Sequence, residues 1–432
     1  MRVPRRKATR GNPRDVMPVN ANSGSAALVL GSGGARAAYE VGVARFLFEG
    51  LRAELGHVPD LRILCGTSAG ALNACVLAAY ADQPLAGVSL LARRWGEMRL
   101  EEMVRPDKCE ILRLVRALLG RPSQRTGAGS LLDPRPLQHL VHDTFPFGRI
   151  EERIADGSLE ALALGTTEVA TGRNKVFVRR GRSGLPLDRT MVEVRAGDLR
   201  PEHALASAAI PLLFPAVEID GALHCDGSLR QSVPLSPAHH LGADRMVVVT
   251  TQHSAPAIAP PRLAHERVQS MGSPVYVVGK AINALHLDRI DDDLDRLGLV
   301  NDILAAGERA FGVGFQEALN RELVAATGRA VAPLRTALVR PSESLGRLAA
   351  DYVNGRAFRR RSGATAAAFA RLADVEAEHE ADLVSYLLFD GPFAQDLMEL
   401  GHADARAAGD RLRALFGPAE EAPVRQDVRR SS

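Results

Sequence analysis

The sequence has few of the residues that build metal centres or disulfide frameworks. Only 4 cysteines occur in 432 residues. They are Cys65, Cys75, Cys109 and Cys225. Without CxxC spacing or a neighbouring histidine cluster, they argue against zinc and against a disulfide framework. We therefore predict no metal and no cofactor, and we expect Cys65 and Cys225 to be small buried residues in strands.

The net charge is small, and aromatic rings and long apolar runs are scarce. A formal net charge of +3, with 1 Trp and 5 Tyr, is too little for a nucleic-acid partner. No apolar run approaches the roughly 20 residues of a bilayer-spanning helix. The basic N-terminus lacks the apolar stretch of a secretory leader. We therefore expect a cytoplasmic protein, with its oligomeric state left open.

The length of the chain indicates more than one ordinary domain. We expect a basic flexible arm at residues 1–24, a catalytic domain at 25–252, a helical C-terminal region at 253–416 and a disordered tail at 417–432. In the C-terminal region, helices are predicted at Gly279–Leu287, Leu294–Ala306, Phe311–Leu323, Ala364–Glu378 and Ala381–Leu400, and an extended segment at Leu334–Val339.

The predicted catalytic domain begins with the same arrangement twice. The apolar strands Ala26–Leu30 and Leu61–Cys65 each run into a glycine-rich turn and then a helix. Two such units in succession predict a parallel sheet covered by helices, which is an α/β fold. Further strands are predicted at Leu162–Ala170, Lys175–Val178 and Met246–Thr250.

The second of these turns, residues 66–70 (GTSAG), has the form G-x-S-x-G. Between a strand and a helix, Gly66 and Gly70 permit a sharp turn that presents the Ser68 hydroxyl at the helix N-terminus. A turn that only connects the two elements is the alternative, because the motif is common by chance. Ser68 is the predicted nucleophile.

The first turn, residues 31–34 (GSGG), offers consecutive backbone N–H groups at a helix start. Such groups stabilise an oxyanion through fixed dipoles. A dinucleotide site is the alternative, but Arg36 replaces the third glycine of G-x-G-x-x-G, and no G-K-[ST] follows. We therefore favour an oxyanion or phosphate cradle.

A serine nucleophile needs a base, and two aspartates compete for that role. Asp226 follows an apolar strand directly, in the turn CDGS. Asp220 is instead explained by a two-residue Asp-Gly hairpin turn within Val217–Cys225. Asp226 is therefore the predicted base, with an Asx turn as its alternative.

Taken in order along the chain, the glycine-rich turn, the Ser68 turn and the Asp226 turn resemble three sequence motifs, here called blocks, of the patatin-like phospholipases. Residues 32–37 (SGGARA) are similar to the family's G-G-G-x-[RK]-G, residues 66–74 (GTSAGALNA) to its nucleophile block, and residues 226–228 (DGS) to its D-G-[GA]. Residues 206–211 (ASAAIP) resemble the stretch that usually precedes the family's catalytic Asp. The resemblance extends roughly from Ala26 to Thr250.

The resemblance implies a three-layer α/β/α fold and a hydrolase for acyl esters of phospholipids or acylglycerols. It also implies a Ser–Asp dyad that needs neither histidine nor metal, with an oxyanion held by the N–H groups of Gly33, Gly34, Ala35 and Arg36. Arg36 is expected either to steady a lipid phosphate or to form a surface ion pair. Ser32 and Ala37 replace the outer glycines of the first block, and a Cβ there restricts the backbone of the loop.

Two other functions are compatible with the residues. A histidine-dependent α/β-hydrolase needs a late histidine, but none of His239, His240 and His253 lies in a recognisable post-strand loop. A catalytically weak lipid-binding or regulatory protein could keep this fold, although it would need neither Ser68 nor Asp226.

Contact with a membrane surface is a separate expectation. Segment Glu110–Gly120 mixes apolar residues with Arg113 and Arg116, as in an amphipathic helix with a basic face. A helix that packs on the protein core with its arginines in solvent is the alternative. A peripheral membrane contact therefore stays open beside the lipid substrate.

Overall fold

The computed structural model describes residues 24–104, 132–181, 190–253, 290–327, 330–361, 369–370 and 382–417. The predicted arm and tail, apart from residues 24 and 417, lie outside these residues. So do Cys109, the helix Gly279–Leu287, the amphipathic segment Glu110–Gly120 and most of the predicted helix Ala364–Glu378.

Short apolar runs bounded by turns form the strands of one sheet. The strands are β1 (Ser25–Leu30), β2 (Leu61–Thr67), β3 (Ala161–Glu168), β4 (Asn174–Arg180), β5 (Met191–Glu193), β6 (Val217–Ile219), β7 (Ala222–Asp226), β8 (Ala243–Val249) and β9 (Arg335–Val339). Each strand predicted from the sequence is present, with its ends shifted by a few residues at most. The extended segment at Leu334–Val339 is β9.

Helices of about one to six turns surround the sheet. Those before β8 are α1 (Ala38–Arg45), α2 (Leu51–Leu55), α3 (Ala69–Ala79), α4 (Pro84–Gly96), α5 (Leu100–Met103), α6 (Arg135–Thr144), α7 (Phe147–Asp156), α8 (Pro201–Ser207) and α9 (Leu235–His240). Those after β8 are α10 (Ile290–Phe311), α11 (Phe315–Thr327), α12 (Leu345–Asn354), α13 (Asp382–Leu387), α14 (Gly391–Ala407) and α15 (Gly409–Phe416).

The sheet has the order β5-β4-β3-β2-β1-β8-β9, and the hairpin of β6 and β7 joins it at β3. The five strands from β3 to β9 in this order run parallel to one another, whereas β4 and β7 run antiparallel to β3. The mainly parallel sheet predicted from the two strand–turn–helix units is therefore confirmed.

Side chains alternate between the two faces of the sheet, so both faces are buried. From β1, Leu28 and Leu30 pack into one hydrophobic cluster, whereas Ala27 and Val29 pack into a second cluster on the opposite face. Cys65 belongs to the second cluster and is buried, as expected of a small residue in a strand. Helices cover both faces, which gives the predicted three-layer α/β/α fold.

The elements after β8 share this core with the earlier ones. β9 extends the sheet beside β8, and α14 packs on α1 so closely that two glycines are required. A Cβ on Gly42 would lie 1.9 Å from the Met398 oxygen, and one on Gly401 would lie 2.1 Å from the Tyr39 oxygen. The boundary at residue 252 stays a prediction.

The single helix predicted at Ala381–Leu400 is wrong, because the chain breaks between α13 and α14. Asp390 has extended backbone angles, φ −123° and ψ 126°, and Pro392 occupies the first turn of α14. Proline in a helix interior lacks the N–H for the i−4 hydrogen bond and clashes with the preceding turn, but it is well tolerated in a first turn. The apolar spacing on both sides of the break continues, so periodicity alone does not reveal it.

Candidate active site

The turn after β2 holds Ser68 in the sharp conformation that its motif predicts. Ser68 has φ 59° and ψ −131°, a region that residues other than glycine occupy only when their surroundings hold them there. A Cβ on Gly66 would lie 2.5 Å from the Gly70 oxygen, and one on Gly70 would lie 2.2 Å from the Gly31 oxygen. Only glycine at both positions lets β2, α3 and the glycine-rich loop approach this closely.

A buried serine from α8 holds this strained turn. The Ser68 amide donates to Ser207 Oγ at 2.9 Å, and the Ser207 hydroxyl donates to the Gly165 oxygen at 2.6 Å. Ser207 therefore ties the turn to β3. It was not predicted as a site residue, and its only signal in the sequence is its place in the block at residues 206–211.

Asp226, at the end of β7, is the hydrogen-bond partner of Ser68. The Ser68 hydroxyl donates to Asp226 Oδ2 at 2.5 Å, and the Ser228 amide donates to Oδ1 at 2.8 Å. Ser68 is 1% exposed and Asp226 is 0% exposed. A short hydrogen bond from a hydroxyl to a carboxylate in a buried setting is among the stronger hydrogen bonds in proteins. The carboxylate is thus oriented on both oxygens and placed to accept the serine proton.

Strand pairing explains how residues so far apart in sequence meet. β2 pairs with β3 as far as Thr67 opposite Gly165, and Asp226 of β7 lies opposite Thr166. β4 occupies the other edge of β3 along these residues, so β2 and β7 share one edge. Because they run in opposite directions along that edge, their C-terminal ends meet, and Ser68 and Asp226 lie at this junction.

The competing bases are engaged elsewhere. Asp220 and Gly221, with φ 50° and 82°, form the two-residue turn between β6 and β7. The Asp220 side chain is 81% exposed and pairs with Arg200 at 3.2 Å. His240 Nδ1 lies 2.8 Å from the Ser236 oxygen, and His253 Nδ1 lies 3.0 Å from the Pro341 oxygen.

The glycine-rich loop is anchored to the sheet and opens into a short 3-10 helix, Gly34–Ala37. The amides of Gly33, Gly34 and Ala35 donate to no acceptor among the described residues, whereas the Arg36 amide donates to the Gly33 oxygen at 3.0 Å. Three donors at a helix N-terminus can therefore receive a developing negative charge.

The two departures from the family's first block do not strain this loop. Ala37 has φ −68°, and Ser32 is not among the residues with positive φ. A left-handed conformation is required at Gly34, which has φ 54°, and there the sequence keeps glycine. The concern about a Cβ at Ser32 and Ala37 is therefore not supported by their backbone angles.

The side chain of Arg36 is buried, which corrects the expected surface ion pair. It is 3% exposed, and its Nη2 lies 2.9 Å from Asp382 Oδ1 in α13. Its Nε donates to Ser385 Oγ at 2.7 Å, and its guanidinium carbon lies 4.0 Å from the centre of the Tyr386 ring. These contacts with the C-terminal region could not be inferred from a lone arginine in the sequence.

A second buried network links the loop to the nucleophile helix. Asn73 Nδ2 donates to Glu40 Oε2 at 2.9 Å and to the Ala37 oxygen at 3.0 Å, and Trp95 Nε1 donates to Asn73 Oδ1 at 3.0 Å. Burial raises the pKa of the Glu40 carboxyl well above its ordinary value, because a charged carboxylate is poorly solvated there. The network holds α3, and with it Ser68, against the helix that follows the loop.

The described residues lack two further features. They contain no group of three or more His, Cys, Asp and Glu side chains placed to hold a metal ion. None of the helices that the structure describes is both long and apolar enough to cross a membrane.

Residues 28–239 match the family model described as Patatin-like phospholipase. The chain therefore carries a patatin-like phospholipase domain, and the family resemblance predicted from the sequence blocks is confirmed. The family indicates a lipid acyl hydrolase in general terms. The matched residues include the glycine-rich loop, Ser68 and Asp226, and they end before the C-terminal helices.

Among solved structures, the chain is similar to the crystal structure of VipD from Legionella pneumophila, at 12% sequence identity and a TM-score of 0.29. The alignment covers 84% of this chain and 66% of that chain, slightly less than two thirds of its length. So low a TM-score carries no argument about fold or function. No curated protein matches the sequence.

Proposed function

We propose that this protein is a serine hydrolase that cleaves acyl ester bonds of lipids, phospholipids or acylglycerols, with Ser68 as nucleophile and Asp226 as base. The observation that carries the proposal is the 2.5 Å hydrogen bond from Ser68 Oγ to Asp226 Oδ2 in a buried site. The activity expected is that of a phospholipase A or lipase.

Acylation begins when Asp226 accepts the hydroxyl proton of Ser68 and Oγ bonds to the carbonyl carbon of the ester. The carbonyl oxygen becomes an oxyanion, which accepts hydrogen bonds from the amides of Gly33, Gly34 and Ala35. The Arg36 amide can join them only if it leaves the Gly33 oxygen. When the carbon–oxygen bond to the leaving alcohol breaks, that alcohol takes the proton from Asp226, and an acyl-serine remains.

Deacylation repeats these steps with water. Asp226 takes a proton from water, the hydroxide oxygen bonds to the acyl carbon, and the same amides hold the second oxyanion. Ser68 Oγ then leaves and regains the proton from Asp226, which releases the fatty acid. Because the dyad is buried, its charges interact in a low dielectric, where each hydrogen bond is stronger than in water.

The alternative is a catalytically weak lipid-binding or regulatory protein with the same fold. It has no use for a strained serine that is hydrogen-bonded to an oriented carboxylate, since strain of this kind lowers stability. A peripheral contact with membranes belongs to the same proposal, because the substrate is a lipid. The helix proposed for that contact, Glu110–Gly120, lies outside the described residues.

A fluorophosphonate probe with a lipid-panel assay tests the proposal. Wild type is expected to label and to release fatty acid from at least one phospholipid or acylglycerol, and Ser68→Ala to do neither. Ser89→Ala, a change on the exposed face of α4, is the matched control and should label normally. Lipid binding without labelling or hydrolysis by wild type would favour the alternative.

A further inference from the structure

Helix α13 lies outside the matched residues 28–239 and packs on the glycine-rich loop. Arg36 donates from Nη2 to Asp382 Oδ1 at 2.9 Å and from Nε to Ser385 Oγ at 2.7 Å. The Ser385 hydroxyl itself donates to the Asp382 carbonyl oxygen at 2.6 Å. Because the Ser385 hydroxyl hydrogen points to that carbonyl, the lone pairs of Ser385 Oγ face the Arg36 guanidinium. Asp382 and Ser385 together therefore hold Arg36 in one orientation.

Tyr386 adds two contacts to the same loop. Its ring lies 4.0 Å from the Arg36 guanidinium carbon, within cation–π distance. Its backbone oxygen faces Gly34, where a Cβ would lie only 2.5 Å away. Its hydroxyl accepts a hydrogen bond from Gln252 Nε2 at 3.1 Å, which links α13 to the segment after β8.

Arg36 depends on Asp382 because its charge is buried. When one partner of a buried ion pair is removed, the other is left as an uncompensated buried charge, which destabilises its position and favours movement toward water. Arg36 shares the 3-10 turn with Gly34 and Ala35, so a displaced Arg36 displaces the amides of that turn. The position of these donors is thus coupled to a side chain 346 residues away in sequence.

We propose that Asp382, supported by Ser385, is a positioning residue that holds the oxyanion-binding amides through Arg36. This inference rests on the proposed Ser68–Asp226 chemistry and deepens it, since it assigns a role in the reaction to the C-terminal region. Oxyanion stabilisation requires donors fixed where charge develops, and a misplacement of about 1 Å can cost about 10²-fold in rate.

The test compares full-length wild type, Asp382→Asn and Ser385→Ala with a matched control, Asp390→Asn. Asp390 is also a buried aspartate of the C-terminal region, 4% exposed, with Arg361 Nη2 at 2.9 Å from its Oδ2. For each protein, kcat and KM are measured with 4-nitrophenyl butyrate, together with Tm. The Ki of an alkyl boronic acid is added because its tetrahedral serine adduct resembles the intermediate.

For Asp382→Asn we expect kcat to fall by about 10²-fold and the boronic-acid Ki to rise by a similar factor, with KM nearly unchanged. Ser385→Ala should shift the same two quantities in the same direction by about 10-fold, since Asp382 remains. Asp390→Asn should lower Tm and leave kcat and Ki near their wild-type values. If Asp382 had a purely structural role, Asp390→Asn with a similar loss in Tm would change kcat and Ki as much as Asp382→Asn does.

The proposal is overturned if Asp382→Asn keeps kcat within about three-fold of wild type, or if Asp390→Asn loses as much. Ser68→Ala is assayed in parallel. If Ser68→Ala stays active, the proposed Ser68–Asp226 dyad is wrong. If Ser68→Ala is inactive while Asp382→Asn is normal, only the proposed positioning role of Asp382 is wrong. Should Asp382→Asn not fold, Ser385→Ala decides, because an unchanged kcat in that variant overturns the proposal and a lower kcat at constant KM supports it.

Discussion

Replacing Asp226 with asparagine removes the proposed catalytic base and is expected to leave the fold intact. Asparagine has nearly the same volume, and its carbonyl oxygen can still accept the Ser228 amide, which donates to Oδ1 at 2.8 Å. Its amide cannot accept the Ser68 proton, so the short hydrogen bond from Ser68 Oγ to Oδ2 is replaced by a neutral contact. The fold is expected to persist while the chemistry stops.

The expected loss in kcat for Asp226→Asn is on the order of 10³-fold or more, as for other residues that act together with a serine nucleophile. Ser68→Ala should lose a similar factor. The double variant should lose little beyond the worse single variant, because the two residues act as one unit. Steady-state hydrolysis of a short aryl ester, with circular dichroism to verify folding, measures all three.

Asp220→Asn is the matched control, because this aspartate is exposed and its ion pair is with Arg200. It should retain most activity, since exposed ion pairs contribute about 0–1 kcal/mol. Near-normal turnover by Asp226→Asn, with loss in Asp220→Asn or in a histidine variant, would refute the assignment of the base.

Four further predictions use other parts of the structure. Ser207→Ala leaves the Ser68 amide without its acceptor, so unfolding by urea should show a loss of about 1–3 kcal/mol together with lower kcat; unchanged values would show that the hydroxyl is dispensable. Gly42→Ala should lower Tm despite its gain in helix propensity, because a Cβ would lie 1.9 Å from the Met398 oxygen; a higher Tm would contradict this packing. Since burial raises the pKa of Glu40 above its ordinary 4.5, its contribution to stability is complete below pH 4.5 and is lost as pH rises through the folded-state pKa; Glu40→Gln should therefore raise Tm relative to wild type more at pH 8 than at pH 5. Chelator should leave ester hydrolysis intact, and loss of most activity would indicate a metal.

Local features of the sequence were sufficient for much of the fold and for the residues of the proposed dyad. The strand–turn–helix context around Ser68 is encoded within about ten residues, and so is the Asp-Gly turn that sets Asp220 apart from Asp226. Apolar strands of a mainly parallel sheet are also local signals. The break between α13 and α14 was missed because apolar spacing continues across it, although Pro392 cannot lie in a helix interior without the loss of a backbone hydrogen bond.

Contacts between distant segments were decided only by the tertiary structure. Ser68 and Asp226 are 158 residues apart, and they meet because β2 and β7 share one edge of β3, a consequence of strand order that no local pattern encodes. The link from Ser207 to Ser68 depends on the same packing. Arg36 could be recognised in its motif, but its burial against Asp382 required α14 to bring the C-terminal region onto α1. The sequence by itself determined which residues could react, and the packing of distant elements decided which side chains hold them in place.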